Sequence, residues 1–173
     1  FETTGKGTYL FGMEESYGCL PGTYARDKDA VAASMMLCEA AAYYKTKNMT
    51  LWDAMIQMYE RYGYYKDEVT SITLKGMEGL EKIQEIMNNL RANAPKEIGG
   101  YQVTAVRDYK NDTITDTASG AVKATGLPSS NVLYYELTDD AWVCVRPSGT
   151  EPKVKFYFGI KGTSRGGCGQ EGF

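Results

Sequence analysis

Ala141-Trp142-Val143-Cys144-Val145-Arg146-Pro147-Ser148-Gly149-Thr150-Glu151-Pro152-Lys153-Val154-Lys155-Phe156-Tyr157-Phe158-Gly159-Ile160 is the stretch from which the rest of the chain is read. Its two ends are rich in β-branched and aromatic residues. In the second, Val154, Phe156, Phe158 and Ile160 alternate with Lys155 and Tyr157, the period-two pattern of a strand with one apolar face. The middle, Arg146 to Pro152, is punctuated by Pro and Gly and reads as the turn joining two strands. It also carries a donor set suited to phosphate. Arg146 offers a planar cationic fork, Ser148 and Thr150 offer hydroxyls, and Gly149 lets consecutive backbone N–H groups converge on one point. Lys153 and Lys155 set two more positive charges beside it. The plainer alternative is a polar hairpin loop whose Arg is solvated.

Moving upstream, Val132 to Leu137 reads as another strand, joined to Ala141–Val145 through Asp139-Asp140. Tyr101 to Tyr109 is a further strand, entered by a turn at Gly99-Gly100. Leu80, Ile83, Met87 and Leu90 recur at helical spacing, and Asn93 and Pro95 close that helix. The pattern predicts an antiparallel α+β unit with the phosphate turn at one end of its sheet. Lys110 to Asn131 is polar, contains Gly120, Gly126 and Pro128, and is expected to be a long mobile loop. Tyr64 to Leu74 is expected to be an extended connector or strand containing a domain boundary, with residues 1–68 before it, 69–163 after it and an irregular tail over 164–173.

The first part holds a second polar cluster. After the strand-like Tyr9-Leu10-Phe11-Gly12 come Met13-Glu14-Glu15-Ser16-Tyr17-Gly18 and then Tyr24-Ala25-Arg26-Asp27-Lys28-Asp29. Adjacent carboxylates and a hydroxyl just past a strand end are acceptors suited to sugar hydroxyl groups. Asp27 or Asp29 also suits the cap of a helix over roughly Lys28 to Lys47, in which Val31, Met35, Cys38 and Ala42 fall on one face. Thr50 and Asp53 form a capping-box pattern ahead of a second helix with Leu51, Met55, Met58 and Tyr62 on its stripe, ended by Gly63.

Composition narrows the function. A formal net charge of −3 with no His leaves no basic face of the kind that binds nucleic acid, and no apolar run reaches the length that spans a bilayer. Cys19, Cys38, Cys144 and Cys168 are widely spaced with no CxxC pair, as in a reduced, cytoplasmic protein; Cys38 and Cys144 are expected to be buried.

Taken in order, Gly12 to Gly18, Arg26-Asp27-Lys28-Asp29-Ala30-Val31 and Arg146 to Pro152 resemble the α-D-phosphohexomutase superfamily, nearest to its bacterial phosphoglucomutase/phosphomannomutase branch. The likeness runs from Gly7 to Gly162 and includes Asn89-Leu90-Arg91-Ala92-Asn93 and Leu127-Pro128-Ser129-Ser130-Asn131-Val132. It implies an α/β + α+β architecture: the C-terminal portion of the mixed α/β sugar-binding domain 3, followed by the small antiparallel-sheet, TBP-like domain 4. In such enzymes an N-terminal phosphoserine and a magnesium ion transfer phosphate through a glucose 1,6-bisphosphate-type intermediate, interconverting hexose 1-phosphate and hexose 6-phosphate. Neither a Thr-Ala-Ser-His-Asn-Pro-like loop nor an Asp-x-Asp-x-Asp-Arg run occurs here. Asp108, Asp112 and Asp116 lie four apart without the Gly turn a hard-cation site uses.

The resemblance therefore implies a C-terminal fragment with no cofactor of its own, inactive alone, whose partners are hexose phosphates and the missing N-terminal domains. By the same resemblance Glu14 and Ser16, with Glu15 between them, bind sugar hydroxyls. Arg146, Ser148, Gly149 and Thr150 hold the phosphate that is not transferred, Lys28 approaches the reacting phosphoryl group, and Arg26 assists by pairing or phosphate contact. The alternative is a stand-alone, non-catalytic phosphosugar-binding module. Family members follow the last strand with a helix, whereas Gly162 to Phe173 is Gly-rich. A truncated, frame-shifted or appended end is expected there, with pairing of copies through an uncovered sheet.

Overall fold

The structure, a computed structural model, describes residues 4–14, 17–74, 76–149 and 151–162. It forms two compact units, Phe1–Arg61 and Tyr62–Phe173.

In the first unit, β1 (Gly12–Met13) pairs antiparallel with β2 (Cys19–Leu20), Met13 opposite Cys19. Helix α1 (Ala30–Lys45) starts at Asp29, whose extended backbone lets its Oδ1 accept from the N–H groups of Val31 at 2.9 Å and Ala32 at 3.0 Å. These donors have no partner within the first helical turn, so the carboxylate satisfies what the helix cannot. The Asp29 N–H donates to the Cys19 carbonyl at 3.0 Å and ties the helix start to the hairpin. Helix α2 (Leu51–Tyr62) opens with the expected reciprocal cap. Thr50 donates from N–H (2.8 Å) and Oγ1 (2.6 Å) to Asp53 Oδ2, and the Asp53 N–H donates back to Thr50 Oγ1 at 3.1 Å.

No residue of α1 is buried, and Val31, Met35 and Leu37 are well exposed. Cys38, expected in a core, is exposed, and Cys144 is half-buried. Helical spacing identifies a face; burial needs a neighbour packed on it, which spacing does not supply.

The second unit comprises β3 (Tyr64–Thr73), α3 (Met77–Ala92), β4 (Glu97–Ile98), β5 (Tyr101–Asp108), β6 (Thr113–Asp116), β7 (Val122–Lys123), β8 (Leu133–Leu137), β9 (Trp142–Pro147) and β10 (Lys153–Gly162). Its antiparallel sheet runs β3-β10-β9-β8-β5-β6-β7, with β4 paired to β5. β3 is an unbroken edge strand paired to β10 from Tyr64 to Thr73, so the chain passes through residues 68 and 69 inside the sheet. Strand alternation places Leu133, Tyr135, Leu137, Val143, Val145 and Val154 on one face, and α3 seals that face with Ile83 and Met87. Leu80, expected on the helix stripe, is half-exposed.

The expected loop over Lys110 to Asn131 instead contributes two short strands to the sheet. β6 pairs with β5 and β7 pairs with β6. Its polar residues act as local ties: Asp112 Oδ1 accepts from the N–H groups of Thr125 (3.0 Å) and Gly126 (3.1 Å) and from Thr125 Oγ1 (2.6 Å), and Asp116 Oδ1 accepts from Ser119 N–H at 2.7 Å. Short Asp side chains turn the chain by replacing backbone acceptors, so polarity here marks turns within a sheet extension.

Candidate functional site

Two clusters carry the candidate chemistry, one in each unit. In the second unit β9 and β10 meet with Pro147 opposite Val154. The turn between them is closed by Ser148 N–H donating to the Lys153 carbonyl at 2.8 Å and Lys153 N–H donating to the Glu151 carbonyl at 2.7 Å. Glu151 N–H donates to Ser148 Oγ at 3.3 Å, and Lys153 Nζ pairs with Glu151 Oε2 at 2.6 Å. From β3, Leu74 N–H donates to the Pro152 carbonyl at 2.8 Å, bracing the far side of the turn.

Arg146 follows buried Val145 in β9, so its side chain leaves the sheet on the face away from α3, where it is exposed. Among the described residues it makes no ion pair. Cys144 shares that face; burial pushes its thiol up, and the Arg146 charge pulls it partly back. Gly149 lies outside the left-handed region, and a Cβ built on it would meet nothing within 4 Å. Neither backbone strain nor packing calls for glycine there. What it leaves is open space beside Ser148. Thr150 lies outside the described residues.

In the first unit Glu14 N–H donates to the Gly18 carbonyl at 2.9 Å, closing the loop between β1 and β2. Lys28 reaches this loop: its Nζ pairs with Asp27 Oδ1 at 2.9 Å and Glu14 Oε2 at 3.3 Å. Hydrogen bonds to Asp27 and then Glu14 raise the Lys28 ammonium above the usual lysine range, and Lys28 in turn lowers the Asp27 carboxyl. Gly18 permits the approach, since a Cβ there would fall on Lys28 Cδ and lie 2.8 Å from Glu14 Oε1.

The structure thus joins Glu14 and Lys28, which lie fourteen positions apart in sequence; Arg146 and Ser148 are neighbours in the chain where β9 enters the turn, and Arg26 is exposed near the first pair in sequence. Glu15 and Ser16 lie outside the described residues. Sequence reasoning missed Asp27 as the nearer partner of Lys28, and Gly18 as the residue that admits its stem. The adjacency of Asp27 to Lys28 was the available signal.

The three spaced carboxylates are engaged separately. Buried Asp108 accepts from Arg91 Nε at 3.2 Å, from Asn111 Nδ2 at 2.6 Å and from Lys110 N–H at 3.1 Å, while Asp112 and Asp116 serve the turns described above. Among the described residues no group of three or more His, Cys, Asp or Glu side chains is placed to hold a metal ion.

Comparison with known proteins places both clusters in one lineage. Residues 2–62 match the sequence model "Phosphoglucomutase/phosphomannomutase, alpha/beta/alpha domain III", and residues 80–165 match "Phosphoglucomutase/phosphomannomutase, C-terminal domain". Phosphoglucomutases of Staphylococcus aureus are similar over 152 residues: that of strain bovine RF122 / ET3-1 is 40% identical and that of strain MRSA252 39%, each match covering 88% of this chain and 27% of the relative. The chain therefore spans about a quarter of the length of these curated relatives. Among solved structures, pp63/parafusin, a phosphoglucomutase from Paramecium in its open form, aligns with a TM-score of 0.51 over 86% of this chain and 24% of that one. At 16% identity that likeness speaks for the fold alone.

Proposed function

The chain belongs to the phosphoglucomutase/phosphomannomutase family, and from that premise we propose that it supplies the sugar-binding and distal-phosphate-binding parts of a phosphohexomutase that moves phosphate between O1 and O6 of a hexose through a bisphosphate. The observation that carries this reading is the β9–β10 turn, with Arg146, which makes no ion pair among the described residues, the Ser148 hydroxyl and the open space at Gly149. A guanidinium fork beside hydroxyl and backbone donors holds a phosphate by charge-assisted hydrogen bonds. The family pattern adds Thr150 to this set.

In the first unit Glu14, with Glu15, Ser16 and Arg26, takes the sugar. Glu14 Oε2 contacts Lys28, and a carboxylate is the acceptor type that sugar hydroxyl groups donate to. Lys28, kept cationic by Asp27 and Glu14, presents positive charge where negative charge develops on the reacting phosphoryl group. The transferring phosphoserine and the magnesium ion belong to the parent enzyme; among the described residues no group of side chains fits the metal. The chain alone is inactive, and the parent works in the cytoplasm on glucose phosphate first and mannose phosphate second. No helix among the described residues is long and apolar enough to cross a membrane.

Titration of the 15N-labelled chain with glucose 6-phosphate tests this. Weak, saturable shifts at Ser148 and Gly149 that vanish in Arg146→Ala are expected, with no conversion of glucose 1-phosphate by the chain alone. Tight binding that survives Arg146→Ala would overturn the reading in favour of a stand-alone binder. A parent enzyme active on glucosamine phosphate and inert on glucose phosphate would overturn the sugar assignment.

A further inference from the structure

We propose that the outer edge of β3 is a self-association surface, on which β3 of a second copy of this chain pairs antiparallel about a two-fold axis through Thr70. Among the described residues β3 ends the sheet, with β10 on one side only. It pairs with β10 through ten consecutive residues without a bulge and contains no Pro. Every residue from Tyr65 to Thr73 is exposed. Sheet edges are ordinarily blunted by short strands, bulges, Pro or charge, and of these β3 has charge alone. Lys66, Asp67 and Glu68 supply it, all in the first half of the strand. Val69-Thr70-Ser71-Ile72-Thr73 is uncharged and rich in β-branched residues, the composition that favours strand pairing.

Half of the backbone groups of β3 face outward. Leu74 N–H donates to the Pro152 carbonyl at 2.8 Å, in register with the strand pairs that follow. Hydrogen-bonded and non-hydrogen-bonded pairs alternate along an antiparallel ladder. Ile72, Thr70, Glu68 and Lys66 therefore spend their backbone groups on β10, and Thr73, Ser71, Val69 and Asp67 direct theirs away from it.

The placement of the charges selects the occupant and its register. A parallel copy in register would set Lys66, Asp67 and Glu68 each against itself, and antiparallel pairing about Asp67 or Glu68 does so to one carboxylate. An axis through Val69 brings the two Glu68 side chains to diagonal positions, and one through Ser71 shortens the overlap. About Thr70, Asp67 faces Thr73, Glu68 faces Ile72, Val69 faces Ser71 and Thr70 faces its own copy. No charge then opposes a like charge, and outward backbone groups meet outward groups. Lys66 and Glu68 also pair within the strand at 3.5 Å, which lowers the net charge at the rim. Such an interface is isologous and closes as a dimer. It does not depend on the phosphate or sugar reading.

Sedimentation velocity of the full chain from about 10 μM to 1 mM, with amide hydrogen exchange at both ends of that range, tests the proposal; the small interface sets this weak regime. A monomer–dimer equilibrium is expected, with exchange at Val69 and Ser71 slowing as concentration rises and exchange at Thr70 unchanged. Ser71→Pro deletes an outward N–H at an edge position that tolerates Pro, and should weaken the dimer about tenfold or more. Thr70→Glu sets two carboxylates face to face and should weaken it about two- to fivefold, while an equimolar mixture of Thr70→Glu and Thr70→Lys should associate more tightly than either variant alone. The monomer's urea midpoint in Thr70→Glu checks that the fold is kept. A chain monomeric at 1 mM overturns the proposal, as does growth beyond the dimer. A dimer that survives both Ser71→Pro and Thr70→Glu also overturns it, since another surface then holds the copies. Slow exchange at Val69 and Ser71 that is independent of concentration overturns it too, because the edge is then covered within one copy.

Discussion

Gly79→Ala should destabilise the second unit, against the usual direction for a glycine inside a helix. Gly79 is buried in the first turn of α3. By propensity alone, alanine there would stabilise the helix by about 1 kcal/mol. The tertiary setting opposes this, because the added Cβ would fall on the carbonyl oxygen of Leu74 and lie 2.6 Å from its carbonyl carbon. Ordinary contact requires the two segments to separate by about 1 Å. Leu74 is not free to yield: its side chain packs on the core and its N–H donates to Pro152 of the phosphate turn at 2.8 Å. Overpacking of this kind costs about 1–3 kcal/mol, and loss of the Leu74–Pro152 hydrogen bond about 0.5–1.5 kcal/mol. The balance is a net loss of about 0.5–3.5 kcal/mol. Urea denaturation followed by tryptophan fluorescence measures it, in a Trp52→Phe background, so that Trp142, stacked on Tyr134 at 5.4 Å, is the sole reporter and lies in the second unit. A midpoint equal to or above that of the parent would refute the reasoning.

Arg91→Met removes the guanidinium that donates to both oxygens of Asp108 at 3.2 Å and to Asn131 Oδ1 at 2.6 Å, leaving a buried carboxylate with only its Lys110 and Asn111 donors. A loss of about 2–4 kcal/mol is expected in the same urea assay, with much of it recovered in Arg91→Met/Asp108→Leu, because two apolar side chains leave no unpaired charge. The Tyr135 hydroxyl is pushed up to about 12 by burial. Stability from this group is therefore whole below the unfolded value near 10 and falls as pH rises toward about 12, by roughly 2 kcal/mol, since the unfolded chain releases a proton the folded chain keeps. Urea midpoints at pH 9 and 11 should fall less in Tyr135→Phe than in the parent. Gly149→Ala should keep the parent's urea midpoint, since its Cβ meets nothing, yet weaken glucose 6-phosphate binding several-fold by filling space beside Ser148.

Features governed by near neighbours in the chain were legible. The Thr50–Asp53 box, the helix closed at Asn93 and the alternation from Val154 to Ile160 each need only a few residues, and each has the expected form. The segment over 110–131 was misread because Asp112 finds Thr125 thirteen positions away and β6 finds a partner in β5. Neither pairing leaves a local periodicity. Cys38 was misplaced for the complementary reason: its spacing is helical, but nothing in spacing supplies the surface that would bury it.

By itself the amino-acid sequence determined the element types, the strand-turn-strand around Arg146 and the motifs that mark the family, because propensity, capping and turn chemistry act over a few bonds. Only the tertiary structure decided that Lys28 is held between Asp27 and Glu14, and that β3 forms the sheet edge beside β10 with the backbone of Val69 and Ser71 turned outward. Those depend on register and on the packing of distant segments, where one residue of slip would turn every side chain to the other face.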